Sequence, residues 1–184
     1  VLATALVVGC GSGNEADLLA SAKAKLAQSD VPAAVIQLKS ALEINGSSAE
    51  GRFLLGKALQ EQGSHAASLV ELNKAKDLGY NEIELLPVLA QAMLANGKFK
   101  ETIDAFAGKS MAAAPAQSAL RTAVSVAYAR LGKRKEAEAA IAEALAADPK
   151  SQWALMTKAR LLAGKADFDG ALSLVEQSMV AGQT

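Results

Sequence analysis

Three glycines end apolar stretches of similar sequence at an almost constant spacing. Gly63, Gly97 and Gly132 close the segments LGKALQEQG, LAQAMLANG and VAYARLG, and they lie 34 and 35 residues apart. A further step of 34 residues in either direction reaches Ser29 in KAKLAQSD and Ala166 in ARLLAGKAD. Each unit holds two stretches of helical periodicity joined by a turn, so the sequence predicts five helix-turn-helix repeats.

Small residues recur at the positions where the two helices of each unit should cross. In the first helices they are Ala22, Gly56, Ala90, Ser125 and Ala159. Their partners in the second helices are Ala34, Ser68, Thr102, Ala137 and Ala171. Between them, large apolar side chains fill one site: Leu38, Leu72, Phe106, Ile141 and Val175. Helix axes about 8 to 10 Å apart leave little room at a crossing, which favours this alternation.

Composition agrees with an all-helical chain. Alanine, the strongest helix former, supplies 41 of the 184 residues. The predicted helices span residues 15–28, 31–45, 49–62, 65–78, 82–96, 99–109, 116–131, 134–147, 151–164 and 168–181. Gly108 and Pro115 interrupt the pattern where the repeat spacing grows to 35, so a shortened helix and a looser joint are expected there.

One unit carries a recognisable family pattern. The segment VAYARLGKRKEAEAAIAEALAADP contains Tyr128, Gly132, Ala137, Ile141, Ala144 and Pro149. It resembles the tetratricopeptide-repeat (TPR) family, in which each unit is a helix pair. The resemblance implies an all-α TPR solenoid, a right-handed superhelix, of five units at about 15–48, 49–82, 83–117, 118–151 and 152–184. Because repeat arrays usually end in a polar cap and MVAGQT is not one, the array is predicted to be incomplete.

Charge and residue composition argue against several classes of function. The chain has 19 basic and 19 acidic side chains, which argues against a nucleic-acid partner. One cysteine and one histidine cannot form an internal disulfide or an ordinary zinc site. No nucleophile motif or triad is present, so we expect no catalytic residues, no metal and no cofactor, and the chain is not predicted to be an enzyme.

The N-terminus has the features of a truncated secretory signal. Residues 1–10, VLATALVVGC, are an apolar stretch that ends in small residues. Val7, Val8, Gly9 and Cys10 resemble the bacterial lipobox, which implies cleavage between Gly9 and Cys10 and lipid attachment to Cys10. Residues 11–14 then form a flexible tether. Gly11 after the cysteine resembles outer-membrane sorting, so the predicted location is the periplasmic side of the envelope, with the outer membrane favoured over the inner.

The first helices should line the concave face of the solenoid, where a partner segment would bind. The candidate partner-binding residues are Phe53, Lys57, Gln60, Gln91, Thr122, Val126, Arg130, Trp153, Met156 and Arg160. Trp153 and Arg160 belong to the residue types that dominate binding interfaces. Trp153 could equally cover the junction with the preceding repeat, and the sequence leaves both interpretations open.

A closer resemblance involves segments in a fixed order. AAVIQLKSAL, RFLLGKAL, DLGY and LLPVLAQAMLANGKF look like the opening of the TPR lipoproteins of exosortase and PEP-CTERM exopolysaccharide systems. The resemblance implies a periplasmic scaffold for polymer export or assembly. Two alternatives remain: a targeting module of a longer enzyme, such as a glycosyltransferase or peptidase, and a pilus or secretion assembly lipoprotein.

Overall fold

The computed structural model describes residues 14–182, and within that range the chain is entirely helical, without a strand. Ten α-helices form five consecutive pairs, and each pair stacks on the next. The helices are α1 (Glu15–Ala27), α2 (Val31–Ile44), α3 (Ala49–Glu61), α4 (His65–Asp77), α5 (Glu82–Ala95), α6 (Phe99–Phe106), α7 (Ala114–Arg130), α8 (Arg134–Ala147), α9 (Gln152–Ala163) and α10 (Phe168–Ala181). The predicted solenoid of helix pairs is confirmed.

The turn inside every pair contains one residue with left-handed backbone conformation. Gly63, Gly97 and Gly132 have φ values of 77°, 71° and 74°, as the spacing predicted. Ser29 and Ala166 occupy the same place in the first and fifth pairs, with φ values of 59° and 63°. This conformation costs a residue with a Cβ about 1 to 2 kcal/mol, so these two turns are the strained ones.

Helix crossings are as tight as the small residues predicted. Ala22, Ala90 and Ser125 are fully buried, and Ala159 is nearly so. Gly56 is the extreme case, because a Cβ added there would lie 2.6 Å from Cγ of Leu72, itself fully buried on α4. The side chain of Leu72 therefore occupies the space that a larger residue at position 56 would need.

The expected interruption lies between α6 and α7. Helix α6 has eight residues and ends at Phe106, three residues earlier than predicted, which confirms the shortened helix. Helix α7 begins at Ala114, two residues earlier than predicted, because Pro115 is accommodated in the first helical turn.

The joint is held by an arginine that sequence analysis did not single out. The Arg121 guanidinium donates to the backbone carbonyls of Ala107 and Lys109, the latter at 3.0 Å, and its Nε lies 3.1 Å from a Glu143 carboxylate oxygen. These bonds satisfy carbonyls that the missing helical turn leaves without partners. The side chain of Arg121 is only 13% exposed, so the bonds form largely out of water.

We predict that Arg121→Met destabilises the protein by about 2 kcal/mol, because two partly buried carbonyls lose a charged donor. Chemical denaturation measures the change. Glu143→Gln is the matched control: its side chain is 61% exposed, so losing that ion pair should cost less than about 1 kcal/mol. Equal losses in the two variants would show that the ion pair, not the carbonyl contacts, stabilises the joint.

We predict that Gly56→Ala lowers the free energy of unfolding even though alanine is the better helix former by about 1 kcal/mol. Overpacking against Leu72 costs about 1 to 3 kcal/mol and should outweigh that gain. Gly108→Ala is the control, since no atom lies within 4 Å of an added Cβ there. A stabilised Gly56→Ala variant would contradict the crossing argument, and adding Leu72→Ala should remove the penalty for Gly56→Ala.

Candidate partner-binding groove

Two neighbouring clefts follow the first helices of successive repeats. The glutamine cleft, about 170 Å³, is lined by Lys57, Gln60, Glu61, Val88 and Gln91. The tryptophan cleft, about 380 Å³, is lined by Gln91, Leu94, Val126, Trp153 and Arg160. Gln91 belongs to both clefts, so together they form one groove across α3, α5, α7 and α9. Six of the predicted partner-binding residues lie in it.

A hydrogen bond between side-chain amides connects two repeats inside the groove. Gln60 on α3 donates from Nε2 to Oε1 of Gln91 on α5, at 3.3 Å. Gln91 is exposed, whereas Oε1 of Gln60 is buried and accepts no hydrogen bond from residues 14–182. The pair therefore contains a buried acceptor that still lacks a donor.

The position of Trp153 is compatible with both interpretations that the sequence left open. Its ring is partly buried and packs against the central hydrophobic core, which includes residues of α3 to α8. The same side chain lines the tryptophan cleft with Val126 and Leu94. A rigid, core-supported aromatic surface is thus available to an apolar group that enters the cleft.

The structure corrects the interpretation of Phe53 and Thr122, which are core residues. Phe53 is 4% exposed and stacks on Tyr80, with ring centroids 4.3 Å apart. Thr122 is fully buried, and its hydroxyl donates to the carbonyl of Ser118 at 2.8 Å. Both lie on the sides of their helices that face neighbouring helices, so neither side chain is open to a partner.

Tyr80 stacks on the ring of Phe53 and so separates it from the groove. The Tyr80 hydroxyl donates to Glu84 at 2.9 Å, and burial, followed by this bond and the charge of Glu84, raises the pKa of the phenol. The hydroxyl therefore stays protonated and remains a donor. The ring is held over Phe53 at the joint between the second and third pairs.

The remaining predicted residues differ in their relation to the groove, which Lys57 lines and Arg130 and Met156 do not. Lys57 is exposed, with its ammonium 5.9 Å from the centroid of the Phe53 ring. Arg130 is exposed in the last turn of α7, and Met156 is partly buried on α9, but neither lines the two clefts.

Sequence reasoning missed Glu61, Val88 and Leu94, which also line the groove. Val88 and Leu94 lie three residues before and after Gln91, and residues at that spacing share one face of a helix. Helical spacing around Gln91 could therefore have identified both. A separate concavity of about 440 Å³, lined by residues that include Leu155 on α9 and Val180 on α10, lies outside the predicted surface.

Cys10 and Gly9 lie outside the described residues, so lipid attachment and cleavage there stay predictions. Within residues 14–182, no cluster of three or more His, Cys, Asp or Glu side chains is arranged to hold a metal ion. No helix in the same range combines the length and apolar character needed to cross a membrane.

Comparison with known proteins identifies the fold through structure alone. No family model and no curated protein matches the sequence. Among solved structures, the thermophilic TPR protein TTC0263 of Thermus thermophilus superposes with a TM-score of 0.72 at 19% identity, covering 92% of each chain. MamA from Desulfovibrio magneticus RS-1 gives 0.71 at 18% identity, covering 94% of this chain and 98% of that one.

A third similar structure is YrrB, described as a TPR protein with an unusual peptide-binding site. It gives a TM-score of 0.55 at 16% identity, covering 89% of this chain and 84% of that one. The chain therefore has the fold of TPR proteins, an α-solenoid of helix pairs.

Proposed function

We propose that this chain is a non-enzymatic interaction scaffold whose groove holds a segment of a partner protein. The observation that carries the proposal is the make-up of the tryptophan cleft. Its lining comes from three successive repeats: Gln91 and Leu94 on α5, Val126 on α7, and Trp153 and Arg160 on α9. A surface assembled across repeats suits an elongated ligand, and the fold is shared with a TPR protein that has a peptide-binding site.

Charge supports the same use of the surface. None of the ion pairs within residues 14–182 involves Lys57, Arg130 or Arg160. All three are exposed; Lys57 and Arg160 line the groove, and Arg130 lies one helical turn from Val126, which lines it, on α7. A partner can therefore pair with them without first displacing an internal carboxylate, which lowers the desolvation and rearrangement cost of binding.

We predict that reversing Lys57, Arg130 and Arg160 to Glu abolishes retention of partners from envelope extracts by the immobilised protein, measured by quantitative mass spectrometry. The matched control reverses Lys39, Lys100 and Lys150, which are also exposed and without an ion pair in the described part. Partners lost from the first variant and kept by the second support the groove. Equal retention by both variants would refute it.

We further propose that the protein is a lipoprotein anchored through Cys10 to the periplasmic side of a Gram-negative envelope, where it assists exopolysaccharide export or assembly. The lipobox resemblance at Val7 to Cys10 and the resemblance to exosortase-linked TPR lipoproteins support this. The identity of groove-dependent partners separates this role from the alternatives. Polymer-export components favour it, pilus or secretion components favour an assembly lipoprotein, and a catalytic domain in the same polypeptide favours a targeting module.

We predict that Cys10→Ser in the full-length precursor prevents incorporation of labelled fatty acid and moves the protein from the membrane to the soluble fraction. Several acyl chains, at about 0.8 kcal/mol for each buried methylene, account for stable anchoring. Ser12→Ala, in the tether, is the control and should leave both measurements unchanged. A Cys10→Ser protein that remains in the membrane fraction would refute the anchor.

A further inference from the structure

The two ends of the groove differ in charge. The glutamine cleft contains one cation and one carboxylate, Lys57 and Glu61, which lie one helical turn apart on α3. The tryptophan cleft contains Arg160 and no carboxylate. No residue that lines the tryptophan cleft therefore neutralises the positive charge of Arg160.

Cations beside the tryptophan cleft extend this imbalance. Arg160 also lines an adjoining cleft of about 150 Å³ with Arg134, Lys165 and Glu138. Glu138 is already paired with Lys165, at 2.6 Å. The one carboxylate that lines this adjoining cleft is thus engaged, and Arg134 and Arg160 remain without an ion pair in residues 14–182. The groove is electropositive at the end formed by α9.

Apolar surface and positive charge lie next to each other at that end. Trp153 and Arg160 are two turns apart on the same helix, and both line the cleft with Val126. A cleft of about 380 Å³ with an aromatic wall has room for a large apolar side chain. A ligand that fills it brings its neighbouring groups towards the guanidinium.

The glutamine pair supplies a contact that does not depend on the ligand's side chains. Gln91 is exposed, its amide nitrogen has no acceptor among residues 14–182, and the hydrogen bond from Gln60 holds its amide group in place. A peptide group offers the complement, a carbonyl that accepts from this nitrogen. Oε1 of Gln60 is buried within the protein and out of a ligand's reach, so Gln91 alone supplies this contact.

We infer that the groove recognises an extended peptide in which an apolar side chain is closely followed by an acidic one. The apolar side chain enters the tryptophan cleft, the Asp or Glu carboxylate pairs with Arg160, and a backbone carbonyl of the peptide accepts a hydrogen bond from Gln91. This inference rests on the proposed function and adds the chemistry of the partner. The charge complementarity of the α9 end selects an acidic segment over a neutral or basic one.

The test selects peptides from a random phage-displayed library on the intact protein. The selected sequences are then synthesised with blocked ends, and their affinity is measured by intrinsic fluorescence. Trp153 is the only tryptophan, so a fluorescence change reports directly on the cleft. Selected peptides should share an apolar residue followed by Asp or Glu. Replacing that acid with its amide should weaken binding about fivefold.

Protein variants test whether Arg160 causes the preference for the acidic peptide over its amide. In Arg160→Gln the acid and amide peptides should bind equally, whereas in Lys150→Gln, a control cation outside the groove, the fivefold difference should persist. Peptides that change Trp153 fluorescence without an acidic preference, or with the same preference in Arg160→Gln, would overturn this inference and leave the groove intact. Failure of every selected peptide to change Trp153 fluorescence would instead refute the proposed groove, and the inference with it.

Discussion

Close contact between helices at small residues is the constraint on which the whole solenoid depends. At Gly56 the approach is so close that Leu72 lies where a Cβ would be, and the equivalent sites in the other pairs hold Ala or Ser. A contact of this kind gains dispersion energy over many atoms and tolerates little change in volume. Because each pair is fixed internally, its first helix can present side chains at a defined position relative to the next pair. The groove is a product of that regularity.

An arginine at one position of the repeat stabilises two of the junctions between successive helix pairs. Arg52 and Arg121 lie eleven residues before Gly63 and Gly132, which is the same place in the repeat. Arg52 donates to the carbonyl of Gly46 at 2.9 Å and pairs with Glu71, as Arg121 does with its own loop carbonyls and Glu143. Burial raises the pKa of Glu71, but Lys74 and Arg52 outweigh it and the pKa is lowered overall. Glu71 therefore stays ionised and keeps its ion pair with Arg52.

Much of the fold could be predicted because the relevant signals are local. The turn glycines and the small residues at crossings act within one helix pair, and the helix bounds follow from them. The groove was harder to predict because its lining depends on how far each helix is rotated about its axis. The sequence predicts that Phe53 lines the groove, but Tyr80, in the loop between α4 and α5, stacks on its ring and covers it. Arg121 was missed because Leu occupies the same repeat position in three other units, which hides its role as a carbonyl donor.

The left-handed turns at Ser29 and Ala166 cost the first and fifth pairs stability that the three pairs between them, whose turns carry glycine, do not lose. In a linear array the stability of a unit is the sum of its own stability and that of its interfaces, so this cost makes the fifth pair easier to open locally than it would be with glycine at the turn. Trp153 and Arg160 both belong to that fifth pair. An occupant that touches them and Gln91 can bind only while the pair is docked, so occupancy and local folding are thermodynamically linked. If the groove binds a partner as proposed, the solenoid is most ordered when the groove is full.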